Sequence, residues 1–534
     1  MAITTAKVTM HRVLRACITA SVVGAGLIAV PLASPLDDIE VRAVRLTTAD
    51  SADSPLGDGT ALIMGPSGFP IPDQQYMAAV DALYLQPRGF DGATQALFTP
   101  EGLYPITGVE SLPFDTSVAQ GQQILDAAIQ GQIAAGGVNA GNPVVVFGWS
   151  QSSTVASQTM QQLADQRVPS DDVHFVLVGD PNNPNGGLLE RFDLPAGTNP
   201  SAPSLGISFD GATPAHLYPT DIYTNEYDGF ADFPRYPINV LSDLNAVLGI
   251  LLDHTTYSVL EPGQIQDAIQ LPTSAADTLT NYYIIPENLP LLDPLRFIPV
   301  VGNPLADLLQ PDMSVLVNLG YGSIYDGWSP GYADVPTPFG LFPTNLNWGD
   351  VLTALVNGIP HGITAAIDDL QNPANYQITQ SILDNPLTTQ FIDLANMMGF
   401  TDATSLSSLL NLPSLLELAR NGLSKFANFP VSNATLLSSP TDIVNDLRGT
   451  LSADYATLLP IADTINALLT SVPAYDASLF VTELQAGNLL DAIGDPIVAD
   501  VVVIPTLIGY GAVEPIETAL GGTLLNLVDL IPGI

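Results

Sequence analysis

The sequence predicts an α/β fold, a parallel sheet covered by helices on both faces. Three observations carry this. Short apolar runs stop abruptly at glycine, as at Val144-Val145-Val146-Phe147 before Gly148 and at Val173–Val178 before Gly179; strands buried on both faces have this texture. Segments of helical length and period separate the runs. Gly65–Gly68, Ser150, Asp180 and Asp228 each stand at a predicted strand end. They therefore share one edge of the sheet, the carboxyl edge, where such sheets carry their reactive groups.

Taken in order, Glu40–Leu46 allows one short strand, and Ala61-Leu62-Ile63-Met64 is a strand ending in the flexible loop Gly65-Pro66-Ser67-Gly68. Gln74 to Leu85 is a predicted helix, Leu103–Gly108 a loop, and Phe114 to Ala134 a helix with an apolar stripe at Val118, Ile124, Leu125, Ala128 and Ile129. Strand Val144–Phe147 leads into helix Gln151 to Gln166. Strands follow at Val173–Val178 and Asp221–Asn225, then a helix from Asn239 to Leu252. Beyond about residue 290 proline, leucine, asparagine and aspartate dominate, with amphipathic helical stretches in which no chemistry stands out. Val501–Ile508 is too short, and too close to Asp500 and Pro505, to be a membrane span.

The 534 residues suffice for two or three domains, and 46% hydrophobic against 13% charged residues argues for a folded chain. Thirteen Lys plus Arg against 54 Asp plus Glu give a formal net charge of −41. Such a surface repels nucleic acid and anionic membranes, so polynucleotide partners are excluded. The one cysteine, Cys17, permits neither a disulfide framework nor a downstream cysteine metal site. No two of His11, His174, His216, His254 and His361 share a ligand spacing, so no metal is expected, and the chemistry calls for no cofactor.

Lys7, Arg12 and Arg15 precede a charge-free stretch from Ala16 to Ala33, with Asp37, Asp38 and Glu40 after it. This is the order of a signal sequence, and it places the remainder outside the cytoplasm. With Pro31 three residues before Ser34, no small-x-small cleavage site stands near its end, which leaves an uncleaved anchor, with membrane or cell-wall association, as an option.

Gly148-Trp149-Ser150-Gln151-Ser152 follows a buried strand and opens a helix, the context that exposes a serine nucleophile. The pattern is G-x-S-x-S, with Ser152 in place of the usual second glycine; on the pattern alone, an ordinary strand-end serine competes with a nucleophile. A serine nucleophile needs a base, and the base a carboxylate. In sheet-based hydrolases the chain order is serine, acid, histidine. His11 lies in the targeting segment, His174 inside a strand, His216 before the best acid, and His361 in the C-terminal half. His254, just past a helix, is left. Asp228 follows a strand directly and is the favoured acid, with Asp232 in reserve; Asp180 has the simpler role of bracing a loop. A developing oxyanion needs two backbone N–H groups. The candidates are those of Gln151 and of Ser67.

MGPSGFPIP (Met64–Pro72), FTPEGLYPITG (Phe98–Gly108), VVFGWSQSS (Val145–Ser153), LVGDPNNPNGGLLERF (Leu177–Phe192), YDGFADFPRYPIN (Tyr227–Asn239) and LDHTTY (Leu252–Tyr257) together resemble the PE-PPE domain, a mycobacterial serine hydrolase family related to cutinases. The resemblance covers roughly residues 55 to 300. It implies an α/β-hydrolase fold, hydrolysis of short- to medium-chain acyl esters, and a triad of Ser150, Asp228 and His254. Where the family often has Gly-Gly-Thr-Gly, this chain has Gly65-Pro66-Ser67-Gly68; Pro66 has no N–H, which leaves Ser67 as the donor. A signal or anchor stands where a helical PE or PPE region precedes the domain in such proteins, as in the cutinase-like acyltransferases of trehalose glycolipid assembly.

The expected organisation is a signal or anchor over 1–35, a linker over 36–58, a hydrolase domain over 59–300 and a helical extension over 301–534. Three functions compete. The first is an exported esterase or lipase of the cell envelope or medium. The second is an acyltransferase in which a glycolipid hydroxyl replaces water. The third is an idle surface protein that keeps the shell for binding.

Overall fold

The structure is a computed structural model that describes residues 56–275, 278–296, 301–371 and 459–509. The expected signal or anchor, nearly all of the linker and the short strand around Glu40–Leu46 lie outside the described residues. The described residues divide into two units, the larger within 56–291, 312–355 and 459–509, and the smaller within 292–311 and 356–371.

The larger unit is built on a seven-stranded sheet. In chain order its strands are β1 (Thr60–Ile63), β2 (Ala93–Ala96), β3 (Val144–Trp149), β4 (Val173–Val178), β5 (Thr220–Asn225), β6 (Ile269–Gln270) and β7 (Thr280–Ile285). Across the sheet the order is β2-β1-β3-β4-β5-β7-β6. All pairs are parallel except β6 with β7. The register sets Val146 between Leu62 and Phe175, and Val178 beside Tyr223.

The period of two along each strand sorts the core into two layers. Leu62, Val144, Val146, Phe175, Leu177 and Ile222 point one way, onto Leu125 and Ile129 of helix α2 (Phe114–Ala135) and Val155 and Met160 of helix α3 (Gln151–Asp165). Ala61, Ile63, Val145, Phe147, Val176 and Tyr223 point the other way, onto Tyr76 and Val80 of helix α1 (Gln74–Val80) and onto Tyr84. Fully burying a side chain of this size stabilises the fold by roughly 1.5–3 kcal/mol, which is why β3 is apolar throughout and β4 nearly so.

The expected helix from Gln74 to Leu85 is shorter than predicted. It is capped by Asp73, whose carboxylate accepts the Tyr76 N–H at 2.8 Å. Its α-helical part ends at Val80, and the chain continues as a wider turn over Asp81–Leu85 and a tighter one over Gln86–Arg88. Pro87 lacks the N–H a regular helix needs, and Gly89 leaves with φ 78°.

Beyond β7 the chain returns to the same core. Arg191, wholly buried, donates to Phe233 O at 3.0 Å, to Ser329 Oγ at 2.9 Å, and to Thr337. Asn185 donates to Ser329 O at 2.9 Å and Gly327 N to Glu226 at 2.9 Å. The final described helices, Ser471–Ala486 and Leu489–Ile508, place Tyr475, Leu479, Val498 and Val502 on Phe192, Phe233 and Phe339. Tyr104 donates to Asp463 at 2.7 Å. In the smaller unit Arg296 bonds Asp307, and the backbone at Gly362 lies against Leu308. No helix among the described residues is long and apolar enough to cross a membrane.

Candidate active site

Strand β3 delivers its end as a strained turn. Ser150 has φ 59° and ψ −120°, a conformation that non-glycine residues rarely hold and that clusters at functional sites. Its N–H is fixed by Val178 O at 3.1 Å. A Cβ at Gly148 would stand 2.7 Å from Ser152 O, so the strand and helix backbones meet there with no room for a side chain. Ser152 supports the turn: its Oγ accepts the Trp149 N–H at 2.8 Å and donates to Trp149 O at 3.1 Å. The replacement of the expected glycine thus adds two hydrogen bonds to the bend.

Strand β5 and helix α4 (Val240–Leu252) supply the other two groups. Asp228 lies just past β5. Asn239 caps α4, and the helix runs so close to the strand-end loop that a Cβ at Gly249 would be 2.0 Å from Tyr227 O. That approach carries the end of α4 over Asp228, and His254 follows. Its Nδ1 is 2.7 Å from Asp228 Oδ2 and 2.9 Å from Oδ1, and its Nε2 is 2.8 Å from Ser150 Oγ. All three side chains are buried. Trp149 Nε1 holds His254 O at 3.2 Å, and Phe230 meets the imidazole edge-on at 4.8 Å between centroids.

The structure therefore brings together Ser150, His254 and Asp228. Asp232 lies apart from the histidine: it accepts the Tyr227 N–H at 3.2 Å, and burial pushes its carboxyl well above the usual range. Asp180 accepts Asn182 N at 3.0 Å and Thr213 Oγ1 at 2.6 Å, and burial raises it to about 6 despite the Thr213 bond. His174 is buried in β4, 3.0 Å from Asp221, which also takes both arms of Arg88. His216 and His361 are exposed.

The residues proposed to supply the oxyanion donors are linked through their side chains. Gln151 opens α3, so its N–H is one of the amides without an intrahelical acceptor. Ser67 Oγ donates to the Gln151 side-chain oxygen at 2.8 Å, and the same amide donates to Gly102 O at 2.9 Å.

Sequence reasoning missed Tyr257. Its hydroxyl donates to Asp228 Oδ2 at 2.8 Å and accepts the Asn225 N–H at 2.8 Å. Burial, then the Asp228 charge, hold it protonated far above the ordinary tyrosine range. The signal was present in Leu252–Tyr257, where a buried aromatic follows His254 by three residues. Phe230 N, which donates to Asp228 Oδ1 at 3.0 Å, left no sequence signal because it is a backbone group.

A largely parallel sheet in this strand order, helices on both faces and a strained serine turn at the carboxyl edge make this an α/β-hydrolase fold of the cutinase-like kind. The family profile of the PE-PPE domain matches residues 91–322. Uncharacterized PPE family protein PPE28 of Mycobacterium tuberculosis is 41% identical over 502 residues, 92% of this chain and 70% of its own. This chain belongs to the PE-PPE domain family. Esterase PE16 of the same organism is 46% identical over 319 residues, 58% of this chain and 57% of its own. SL1278 acyltransferase Chp1, also of M. tuberculosis, is 30% identical over 246 residues, 45% of this chain and 55% of its own. The chain spans little more than half the length of these last two.

Proposed function

We propose that the chain is an exported serine esterase or lipase of the cell envelope, acting on short- to medium-chain acyl esters. The observation that carries this is the continuous line from Asp228 through His254 to Ser150 Oγ, with contacts of 2.7 and 2.8 Å. In this reading His254 Nε2 takes the Ser150 proton as Oγ attacks the acyl carbon, and Asp228 stabilises the imidazolium and fixes its tautomer. The oxyanion is received by the N–H groups of Gln151 and Ser67. Collapse breaks the ester C–O bond, and the leaving alkoxide takes the proton from His254. Water, deprotonated by the same histidine, then attacks the acyl carbon; the acyl–Oγ bond breaks, Ser150 Oγ takes the proton back from His254, and the acid leaves. Residues 59–300 hold the chemistry, residues 312–355 and 459–509 of the same unit brace it, and the N-terminal segment directs export. The likeness to a relative named esterase supports this reading.

A fluorophosphonate probe labels the purified protein at Ser150, and Ser150→Ala abolishes both labelling and turnover of a chromogenic butyrate ester. Labelling that survives Ser150→Ala sinks the proposal.

The likeness to a relative named acyltransferase supports a second reading, in which a glycolipid hydroxyl takes the acyl group in place of water. Incubation with acylated trehalose separates the two: more highly acylated trehalose as the main product favours transfer, and free acid favours hydrolysis.

A further inference from the structure

The serine turn and the loop after β1 are joined by a closed ring of hydrogen bonds. Ser67 Oγ donates to Gln151 Oε1 at 2.8 Å, and Gln151 Nε2 donates to Gly102 O at 2.9 Å. Gly102 follows Glu101, whose carbonyl accepts the Gly68 N–H at 2.7 Å. Gly68 follows Ser67, and the ring closes. Three pieces of chain meet in it: the loop after β1, the segment after β2 and the first residue of α3. Gly102 N also donates to Ser117 Oγ of α2 at 2.8 Å, a buried hydroxyl that gives the ring a footing outside the site.

Two of the three bonds pass through the Gln151 side chain. Gly102 O can only accept, and the Ser67 hydroxyl arrives as a donor. The link therefore needs an acceptor and a donor on one group, which a carboxamide carries and an ionised carboxylate, a thioether or an aliphatic chain does not. Any residue but proline would supply the backbone N–H that the mechanism asks of position 151. The side chain has a separate reason to be glutamine. It is 1% exposed, so water does not replace its partners, and holding so long a chain in one rotamer costs ~1.5–2 kcal/mol.

We infer that the Gln151 side chain is a positioning group for the oxyanion hole, a clasp that holds the Ser67 N–H and its own N–H at a fixed separation so that both meet one oxygen. The inference rests on the esterase reading. The two donors stand 84 residues apart in the chain, and the clasp joins them directly. Without it Ser67 keeps the tie through Gly68 to Glu101 and loses the bond to α3. Charge reaches the oxygen only as the transition state forms, so a misplaced donor is felt in the chemical step and not in substrate binding.

The test is steady-state hydrolysis of the butyrate ester by Gln151→Met, Ser67→Ala and the double variant. Gln151→Met keeps the length of the side chain and both backbone N–H groups. Its kcat should fall by ~10- to 100-fold with KM within about threefold of the wild type. A butyl trifluoromethyl ketone, whose adduct with Ser150 sets an oxyanion in the hole, should bind more weakly by the same factor as kcat/KM. Ser67→Ala opens the ring at its other end. The double variant should therefore be slower than Gln151→Met by no more than about twofold, because both cuts open one ring. If Gln151→Met does not fold, Gln151→Glu takes its place; its ionised carboxyl accepts from Ser67 but does not donate to Gly102 O. Losses that multiply in the double variant, or a kcat of the position-151 variant within about threefold of the wild type, overturn the clasp alone. Absence of fluorophosphonate labelling at Ser150 in the wild type overturns the esterase reading and this inference with it.

Discussion

The Tyr257 hydroxyl sits between the Asn225 N–H and Asp228 Oδ2, 2.8 Å from each. It accepts from the end of β5 and donates to the carboxylate on which His254 rests. With Phe230 N on the other oxygen, Asp228 is held by three donors on two pieces of chain, Phe230 just beyond it and His254 with Tyr257 past α4. Tyr257→Phe removes a hydrogen bond to a charged group and leaves the buried Asn225 N–H unpaired. By the usual worth of such bonds, ~1.5–3 kcal/mol, kcat/KM should fall by ~10- to 100-fold. Steady-state ester kinetics and a melting curve check both consequences.

The two carboxylates near the turn should separate cleanly. Asp228→Asn keeps the shape and spoils the histidine tautomer, and a loss on the order of 10³- to 10⁴-fold in kcat is expected. Burial pushes Asp232 well above the usual carboxylate range, and its partner is Tyr227 N and not the histidine, so Asp232→Asn should change kcat by less than about fivefold while altering the melting temperature. A larger catalytic loss in Asp232→Asn than in Asp228→Asn would reverse the assignment.

Gly148→Ala and Ser152→Ala probe the two halves of the bend. The new Cβ at 148 would stand 2.7 Å from Ser152 O, a backbone atom that cannot give way without moving α3. Ser150 labelling should be lost along with stability. Ser152→Ala leaves the Trp149 N–H without its Oγ partner and should cost ~1–3 kcal/mol of stability, while labelling persists. Labelling rates and thermal midpoints measured on the same preparations decide the point.

The fold should resist mild acid better than mild alkali at one position. Burial raises Glu226 to about 7, although the backbone N–H groups of Gly327 and Glu287 favour its ionised form. A carboxyl whose folded value lies above its unfolded one binds more protons when folded, so unfolding becomes easier as pH rises from the unfolded value towards 7. Glu226→Gln removes that penalty. Its melting temperature relative to wild type should rise between about pH 5 and pH 8, with a ceiling of a few kcal/mol. A constant difference across that range would refute this account. Asp221 runs the opposite way: burial alone would raise it, but the His174 hydrogen bond and charge and the Arg88 charge outweigh burial and lower it. Its contribution is present above the unfolded carboxyl range and is lost as pH falls through the lowered folded value.

Much of the architecture was legible because it rests on local pattern. The β3 and β4 runs, the stripe on α2 and the Gly148–Ser152 bend are written in adjacent residues. What escaped depends on partners distant in the chain. Strand β2 (Ala93–Ala96) is largely exposed and is defined only by its pairing with β1. Strand β7, Thr-Asn-Tyr-Tyr-Ile-Ile, carried a β-rich signal that went unread amid the surrounding prolines. Glu101 and Tyr257 sit in sequence blocks that resemble the family, yet their positions against Gly68 and Asp228 follow from three-dimensional packing, which spacing does not encode.

The guanidinium of Arg191 has a consequence for how the protein comes into being. Its acceptors include Phe233 O from the strand-end region, but also Ser329 and Thr337, more than a hundred residues downstream. A buried guanidinium without acceptors is penalised by several kcal/mol. A nascent chain therefore carries its serine turn, its histidine and its aspartate well before it can close the ground beneath them. The Arg191 site is therefore complete only when the chain through Thr337 is available to it.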